Sequence, residues 1–441
     1  MNSNKFFAVA SSKGLSDAEL RISKSTSLSL SIFKGEIDNF TQATSSKILA
    51  RGIYKGKGGF CSTEKDDKSS YDYLVDGIIN TSSLVESDEE VIIFEGSPKY
   101  TKWKGQYNKE IETIGVPDAL KILLSLEKKI MAKDSLCSDV QLSFEYKSSS
   151  EVIANSKGLK LKQNSNYYYF FAQLVMKNGE EIKSNYKVKI ESSPLSAFDE
   201  DSFVEELVRK CKDKFHGVSI PAGSYKAVLA PEAVGSLLSA LVSNLSSEET
   251  QKHSSIYEGK VGEKILSSAL TISESPLAKN VFFSSFDDDG VAKTNKKLIE
   301  KGVLKTLLYN IANAKKDGVE STGNAALKGA KTGIGFSNLV IKPGSLDQDG
   351  LFAKIGDGVY VTELSGLHAG LNPKSGDFSL QAEGFLVKDG KKDSALTLIT
   401  CGGNLFSLFN DVIAVGKDSQ LLLSSFNVPS IAFKNLKISA E

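Results

Sequence analysis

The chain has 441 residues, which is too long for one ordinary hydrophobic core and predicts roughly two or three domains. Its 54 Lys and Arg residues balance its 54 Asp and Glu residues, so the sequence lacks the overall positive field of a dedicated nucleic-acid-binding protein. Hydrophobic residues make up 40% of the composition, alongside 36 glycines and only 9 prolines, which is typical of a globular protein.

Cysteine usage and hydropathy indicate the compartment. The cysteines at positions 61, 137, 211 and 401 show no C-x-x-C spacing, which argues against a disulfide framework and against a cysteine-rich zinc site. The N-terminus carries no cleavage-like signal, and no apolar stretch approaches the length of about 18 residues that a membrane helix needs. We therefore expect a soluble, cytoplasmic protein without membrane contact.

Residues 1–100 are predicted to form an N-terminal α+β domain. Leu28, Leu30 and Ile32 alternate with serines, and this period of two indicates a half-buried strand. A glycine-rich turn follows at residues 55–59, and the apolar residues of segment 71–79 then fall at helical spacing. The pattern is typical of antiparallel strands with one face covered by a helix.

Residues 108–220 are predicted to form a central α+β domain. A helix is expected after Pro117, because proline suits the first helical turn. An amphipathic helix near residues 203–211 closes the region. Between the helices, alternating segments predict four strands, at residues 140–146, 151–162, 167–176 and 181–190.

Residues 221–441 are predicted to form a C-terminal β-rich domain, and the whole chain is assigned to the α+β class. Many short apolar runs separated by glycine follow one strong helix, which favours a barrel or folded sheet. The basic run at residues 293–301 is interpreted as the solvated face of a helix. The Asp287–Asp288–Asp289 run is interpreted as a turn, since adjacent side chains in a turn diverge and do not surround a cation.

The strong helix is predicted to begin at Pro231. Pro231 and Glu232 suit a first helical turn through the fixed φ of proline and the attraction of a carboxylate to the helix dipole. One face is expected to be buried, because apolar side chains recur at helical spacing at Val234, Leu237, Leu238, Leu241 and Leu245. Packing alone thus explains every residue of this helix.

The same segment nevertheless resembles the H-E-x-x-x-H helix of the TldD/PmbA peptidase family, and other motifs resemble that family in the same order along nearly the whole chain. In the matching segment Phe286–Val291, Asp289 stands where the family has Glu. The further matching segments are Ser16–Glu19, Arg51–Gly52, Gly259–Lys264, Phe286–Val291, Ser321–Ala325 and Ser375–Ser379.

The resemblance places three lost metal ligands in this chain. Pro231 and Ser236 stand where the motif has its histidines, and Val415 stands where the TldD branch has a cysteine near the C-terminus. Glu232 matches the family's general-base glutamate, but without a metal-bound water it has no partner for hydrolysis. Because zinc needs imidazole, thiolate or carboxylate ligands, we expect no metal and no catalytic residue in this subunit.

The segment Gly366–Asn372, followed by Ser375–Ser379, resembles the PmbA branch, also called TldE, which lacks the histidines. The resemblance implies a cytoplasmic assembly in which a TldD-type subunit holds zinc and the PmbA-type subunit completes a cleft for extended peptides or unfolded small proteins. It also implies roles in peptide maturation and a link to modulation of DNA gyrase.

Candidates for substrate contact are polar and glycine-rich: Asn372, Gly376, Asp377 and Ser379. Two alternatives remain open at this point. The chain could be a peptidase in its own right, with a metal bound by His368 or by residues that the sequence does not reveal. It could also be a homodimeric peptide-binding or regulatory protein that never meets a TldD-type subunit.

Overall fold

A computed structural model of the chain describes residues 1–84, 91–329 and 331–440. The chain divides into two compact units, and both are discontinuous in sequence. Unit 1 contains Met1–Cys211, Leu277–Thr294 and Tyr309–Ile334. Unit 2 contains Lys212–Pro276, Asn295–Leu308 and the chain from Gly335 onward.

The helices and strands of the first half of the chain alternate in short groups. In chain order they are α1 (Ser3–Ser12), β1 (Leu15–Phe33), β2 (Glu36–Tyr54), β3 (Lys57–Thr63), α2 (Ser70–Leu84), α3 (Lys109–Glu112), α4 (Val116–Lys133), β4 (Cys137–Asn155), β5 (Lys160–Asn178), β6 (Glu181–Glu191), α5 (Glu200–Lys212), β7 (Gly223–Leu229), α6 (Pro231–Ser243) and α7 (Ser247–Gln251).

The second half is richer in short strands. Its elements are β8 (Ile272–Glu274), β9 (Lys296–Glu300), β10 (Val303–Leu304), α8 (Ile311–Asp317), β11 (Ala325–Lys328), β12 (Lys331–Ile334), β13 (Leu339–Ile341), α9 (Gln348–Ile355), β14 (Gly358–Ser365), α10 (Leu367–Gly370), β15 (Asp377–Lys388), β16 (Lys391–Ala395), β17 (Ile399–Asn404), α11 (Leu405–Asn410), β18 (Val412–Val415), β19 (Gln420–Leu421), β20 (Phe426–Val428) and β21 (Ile431–Ala440).

Unit 1 is built on an antiparallel six-stranded sheet with the order β3-β2-β1-β4-β5-β6. Leu28, Leu30 and Ile32 of β1 are buried, as their alternation with serines predicts. Helix α4 packs against β4 and β1, and α2 packs against β3. The predicted N-terminal and central regions contribute strands to this one sheet, and the boundaries drawn between them stay a prediction.

Two predicted strand breaks in this unit are wrong, and one of them is at residues 163–166, through which β5 continues. The polar run Lys147–Ser150 was expected to separate two strands, but β4 continues through it to Asn155, and the turn falls at residues 156–159. Ser149 lies opposite Ser165 of β5, and the two hydroxyls are 2.8 Å apart. The serines therefore form a row across the sheet rather than a loop.

The Asp287–Asp289 turn is a buried polar centre of unit 1. The carboxylate of Asp287 accepts hydrogen bonds from the backbone N–H groups of Asp289, Val291 and Ala325 at 3.0, 2.8 and 2.9 Å. Burial, and then the negative charge of Asp289, raise the pKa of Asp287 to about 7. The predicted turn is thus present, and its first carboxylate closes the turn.

Two arginines of the sheet complete this centre. Arg21 donates to the Asp288 carboxylate at 2.6 Å, and Arg51 donates to the Glu19 carboxylate at 2.6 Å. Arg51 also donates to the Thr332 hydroxyl at 2.7 Å and lies 3.6 Å from the Asp289 carboxylate. Arg21, Arg51 and Glu19 are buried, so each of these charges needs its partner to remain ionised at low cost.

Unit 2 is built around a closed β-barrel, as the short strands of the C-terminal region predict. Strand β14 pairs with β7 on one side and with β15 on the other, so the order β14-β7-β21-β17-β15 returns to β14. Helix α9 packs on this barrel with Leu351, Phe352 and Ile355 fully or almost fully buried. Together the two units give the α+β class that the sequence predicts.

A second sheet of unit 2 has the order β10-β9-β8-β13-β20-β19. Its strand β9 overturns the prediction of a helix face for the basic run at residues 293–301. Leu298 and Ile299 are fully buried within that run, because they belong to the sheet core while the lysines around them reach solvent or carboxylates. Charge patterning alone did not distinguish a strand from a helix here.

Candidate functional site

The candidate site of unit 2 begins where β7 leaves the barrel and enters α6. The backbone N–H of Ala230 donates to the carbonyl oxygen of Val361 in β14 at 2.9 Å, which holds the helix entry against the barrel. Pro231 then occupies the first helical turn, where its missing N–H leaves no helical hydrogen bond unmade. The start of α6 is therefore fixed by the barrel and is not a free loop end.

Helix α6 is buried along the face that its spacing predicts. Val234, Leu237, Leu238 and Leu241 are fully buried. A Cβ atom at Gly235 would lie 2.4 Å from a methyl group of Leu422, so the glycine allows the segment after β19 to approach the helix closely. In the first turn Pro231 and Ala233 are buried as well, and the Glu232 side chain is half-buried.

Glu232 and Ser236 both have hydrogen-bond partners in this turn. The Gln420 amide donates to the Glu232 carboxylate at 3.1 Å. The Ser236 hydroxyl donates to the backbone carbonyl oxygen of Glu232 at 3.0 Å, one helical turn back. The hydroxyl at position 236 therefore serves the helix backbone.

Strand register brings the third position into the same region. Val415 of β18 pairs with Ile431 of β21, and Ile431 pairs with Leu229 of β7. Val415 therefore lies in one row with Leu229, two strands or about 10 Å away. Helix α6 starts two residues after Leu229, and Gln420, five residues after Val415, contacts Glu232.

The donor chemistry of these positions does not fit zinc. Pro231 has no side-chain donor, Val415 has a hydrocarbon side chain, and Ser236 has only a neutral hydroxyl, whereas zinc sites use imidazole, thiolate and carboxylate groups. Within residues 1–84, 91–329 and 331–440, no three His, Cys, Asp or Glu side chains are grouped so that they could hold a metal ion. His368 lies exposed on α10, outside any such group.

One further carboxylate in unit 2, that of Glu363, interacts electrostatically with Glu232 and is paired with a second, that of Glu383. Glu363 of β14 lies directly opposite Glu383 of β15, and Lys214 forms an ion pair with Glu383. Burial is the main cause that raises the pKa of Glu363; Glu383 and then Glu232 raise it further, and Lys214 lowers it. The sequence did not single out this pair, because the two glutamates are far apart in the chain and meet only through barrel closure.

Asn372 and Gly376 form the turn that leads into β15. The Asn372 side chain accepts from the backbone N–H groups of Lys374 and Ser375 at 2.9 and 3.2 Å. Gly376 has a φ of +78°, and a Cβ atom there would lie 2.6 Å from the ring of Phe406. These two residues therefore have well-defined roles in shaping the turn.

Asp377 and Ser379 lie side by side on the outer face of the barrel. They line a depression of about 520 Å³ together with residues of β17, β21 and α11, namely Thr400, Gly402, Gly403, Asn404, Ser407, Lys437 and Ser439. The Asn404 amide donates to the Asp377 carboxylate at 3.0 Å, and this bond, followed by one from the Ser375 hydroxyl, holds the pKa of Asp377 below its usual value. The depression thus presents a carboxylate, an ammonium group and several hydroxyls.

The structure brings together two of the four predicted contact residues in this depression, and the other two shape the adjoining turn. Asn404 and Lys437 were missed, since neither belongs to a recognisable motif. The glycine pair at residues 402–403 before Asn404 was the available signal, because glycines in a strand mark close approach by another chain segment or ligand. In the part of the chain that the structure describes, every helix is too short or too polar to cross a membrane.

Comparison with known proteins gives consistent matches along the chain. Three family models match in order: PmbA/TldA metallopeptidase domain 1 over residues 18–81, the central domain over residues 109–214, and the C-terminal domain over residues 222–440. An uncharacterised protein from Methanocaldococcus jannaschii is 27% identical over 98% of this chain and 99% of its own length.

Two other matches are a TldD homologue and a solved TldE structure. A protein from Saccharolobus solfataricus, named as a zinc metalloprotease TldD homologue, is 27% identical over 55% of this chain and 57% of its own length. The crystal structure of TldE from Thermococcus kodakarensis superposes with a TM-score of 0.91 at 23% identity, covering 99% of both chains. The fold of that protein is therefore shared over the whole chain.

Proposed function

Since this chain belongs to the PmbA/TldD metallopeptidase family, we propose that it is the subunit of a TldD/TldE-type peptidase that does not hold the metal. The observation that carries this proposal is the donor chemistry at the start of α6. Pro231, Ser236 and Val415 occupy the three positions that the resemblance assigns to ligands, and none of them can bind zinc.

The hydrogen bonds of Glu232 support the same proposal. A general base for hydrolysis needs a water molecule activated by a cation and needs its carboxylate directed at that water. In this chain the Gln420 amide donates to the Glu232 carboxylate. Glu232 therefore acts as a structural residue of the helix start, and the subunit has no hydrolytic group of its own.

The zinc of the complex is held by a TldD-type partner, and this chain completes the cleft in which an extended peptide or unfolded small protein is bound in the cytoplasm. Asp377 and Ser379 are the side chains that we place against the substrate. Their depression offers hydrogen-bond acceptors and donors to a peptide backbone, with Lys437 beside them for a carbonyl or carboxylate oxygen.

The test is reconstitution. The purified chain is mixed with a relative that carries an intact H-E-x-x-x-H helix and zinc, and hydrolysis of an unstructured peptide is followed. We expect no digestion by either protein alone and digestion by the mixture. An Asp377→Ala variant should lower kcat/KM about tenfold or more in the mixture, because it removes a group placed at the substrate, and should still form the complex.

Two outcomes would contradict the proposal. Hydrolysis by the isolated chain with one retained zinc per subunit would show an independent peptidase with a metal site elsewhere. A stable complex that digests no peptide would show that completion of the cleft is not the function of this subunit. Metal analysis and size-exclusion chromatography of the same samples separate these cases.

A further inference from the structure

The long strand β2 has one uncovered edge. Along its side remote from β1, β2 pairs with β3 only over Ile48–Tyr54, so among the described residues no strand pairs with that side of segment 36–47. Residues 36–45 are all exposed. We call segment 36–47 the β2 edge. It offers a row of backbone N–H and C=O groups to another strand.

The outer strands β3 and β6 of this sheet are protected in ways that the β2 edge is not. Strand β3 is packed against α2. The outer strand β6 carries Lys183, Lys187 and Lys189, and lysines on an edge discourage pairing with another chain. Residues 39–46 of the β2 edge contain no charge, proline or glycine, which is the composition that favours strand pairing.

We propose that the β2 edge pairs in antiparallel fashion with the β2 edge of a second copy of this chain, about a two-fold axis at Gln42. A two-fold axis perpendicular to the sheet keeps inward and outward side chains on the same faces of both copies. Thr41 then lies opposite Ala43 of the second copy, and Phe40 lies opposite Thr44 of the second copy. The two six-stranded sheets become one continuous sheet.

A bulge in β2 makes the charges at the two ends of this edge complementary. Pairing with β1 shifts by one residue between Ser31↔Asn39 and Ile32↔Ile37, which leaves Asp38 as an extra residue. Glu36 pairs with Phe33 of β1, and Lys47 pairs with Ser23 of β1. Because Phe33 and Ser23 are an even number of residues apart on β1, Glu36 and Lys47 lie on the same face of the sheet.

In the antiparallel pair the bulged residue Asp38 has no partner, so Glu36 of each copy faces Lys47 of the other copy. The two-fold axis produces this ion pair twice. No described contact in the chain gives either Glu36 or Lys47 an ion-pair partner of its own. Opposite charges facing across paired strands stabilise the pairing.

The length of the edge also fixes the register. The pairing ends at Lys47, and the next residue, Ile48, already pairs with Thr63 of β3. A longer overlap would drive the hairpin turn of the second copy into β3. The pairing also covers Ile37 and Phe40, which are 49% and 46% exposed on the face that α4 covers elsewhere in the sheet.

This inference is independent of the proposed function, because it concerns the N-terminal sheet and no residue of the candidate site. It is tested with the full-length chain by sedimentation equilibrium. Wild-type chain should dimerise, and the single variants Glu36→Lys and Lys47→Glu should each raise the dimer Kd about tenfold or more, because each places like charges opposite one another twice.

Charge exchange gives the decisive comparison. In a mixture of the two single variants, every facing pair is again of opposite sign, so the mixture should form a heterodimer although neither variant self-associates. The double variant E36K/K47E should regain the wild-type Kd. Lys162→Glu, at an exposed position of β5 in the same sheet, is the control and should leave the Kd unchanged.

A cysteine at the axis provides a second measurement. Gln42→Cys should form an intermolecular disulfide on mild oxidation, since residues opposite one another on antiparallel strands have Cα atoms about 4.5–5.5 Å apart. Wild-type chain, oxidised in the same way, is the control for disulfides that its own cysteines form. A wild-type chain that stays monomeric at the highest attainable concentration overturns the proposal, and so does a dimer that neither the charge variants nor the cysteine affects.

Discussion

Under the proposed function, positions 231, 236 and 415 correspond to zinc ligands of the metal-holding subunit, and here their side chains offer no donor suited to zinc. The register of β7, β21 and β18 keeps Val415 in the row of Leu229, and α6 starts two residues after Leu229. The strand register therefore keeps Val415 close to the start of α6, where Pro231 and Ser236 lie. Restoring the donors requires a change of side chains at buried Pro231, half-buried Ser236 and buried Val415.

We expect the triple variant P231H/S236H/V415C to bind zinc, because it returns two imidazoles and a thiolate to the start of α6. Wild-type chain should retain no zinc after dialysis, and the variant should retain about one zinc per chain, measured by plasma mass spectrometry. The double variant P231H/S236H is the matched control and should bind more weakly, since one ligand is missing. A triple variant that folds and retains no zinc would contradict the ligand assignment, above all at position 415.

The buried carboxyl of Asp287 makes the stability of unit 1 depend on pH. Its folded-state pKa is raised to about 7 by burial and by Asp289, whereas the unfolded chain has the ordinary aspartate value near 4. Between these values the folded state binds more protons than the unfolded state. The stabilising contribution of Asp287 to the free energy of unfolding is therefore fully present below pH 4 and is lost as the pH rises through 7.

We expect the Asp287→Asn variant to lose that part of the pH dependence. The amide keeps one oxygen for the turn but turns an N–H group toward a backbone donor, so the free energy of unfolding should fall by about 1–3 kcal/mol at pH 5. The loss should shrink toward pH 8, where the wild-type carboxyl is ionised. Hydrogen exchange of β1 and β2 amides between pH 5 and pH 8 measures the difference in unfolding free energy between wild-type chain and variant. A difference that stays the same across that range would contradict the raised pKa.

At the scale of single elements, the turn before β15 depends on one glycine for two separable reasons. Gly376 has a positive φ, and its missing Cβ leaves room for the Phe406 ring. Gly366, which precedes α10 in the same unit, also has a positive φ, but a Cβ atom there would meet nothing within 4 Å. Substitutions at Gly366 and Gly376 therefore separate the cost of backbone strain from the cost of displacing the Phe406 ring.

We expect Gly366→Ala to cost about 1 kcal/mol from backbone strain alone. Gly376→Ala should cost a further 1–3 kcal/mol or so, because Phe406 must move. Hydrogen exchange of β15 and β17 amides measures both changes, and peptide hydrolysis in the reconstituted complex should fall only for the Gly376 variant. Equal effects of the two substitutions would show that contact with Phe406 is unimportant.

The elements predicted from the sequence were those with strong periodicity. The burial of Leu28, Leu30 and Ile32 and of the α6 leucines follows from residue spacing, because one face of a regular element must be covered. The strand break at residues 147–150 and the helix face at residues 293–301 were wrong. In both segments polar side chains lie within sheets, where hydroxyl rows and neighbouring carboxylates satisfy them.

The candidate site was predictable only where a motif marks it. Pro231, Ser236, Asp377 and Ser379 lie in segments that match family motifs. The partners that determine their chemistry, Gln420 for Glu232 and Asn404 for Asp377, come from distant parts of the chain and are brought in by strand pairing. Local composition carries no signal for such partners, because long-range register decides them.

At the scale of the molecule, unit 1 includes two segments from the later half of the chain. Segments 277–294 and 309–334 belong to unit 1, although they lie within the predicted C-terminal domain. They supply Asp288 to Arg21 and both Asp289 and Thr332 to Arg51. They also supply Phe286, which packs with Ile153 and Leu159. Unit 1 is therefore complete only when the later half of the chain has been added.

We accordingly expect a fragment of residues 1–220 to be several kcal/mol less stable than unit 1 of the full chain. Removing one partner of a buried ion pair costs about 3–5 kcal/mol, and Arg21 and Arg51 both lose carboxylates in this fragment. Near-ultraviolet circular dichroism and hydrogen exchange of the sheet should show a loosely packed state. The same fragment carrying Glu19→Leu and Arg51→Met should recover part of the loss, since apolar side chains need no ionic partner. A fragment as protected as the intact chain would show instead that the sheet is stable without these segments and that the buried arginines contribute little to it.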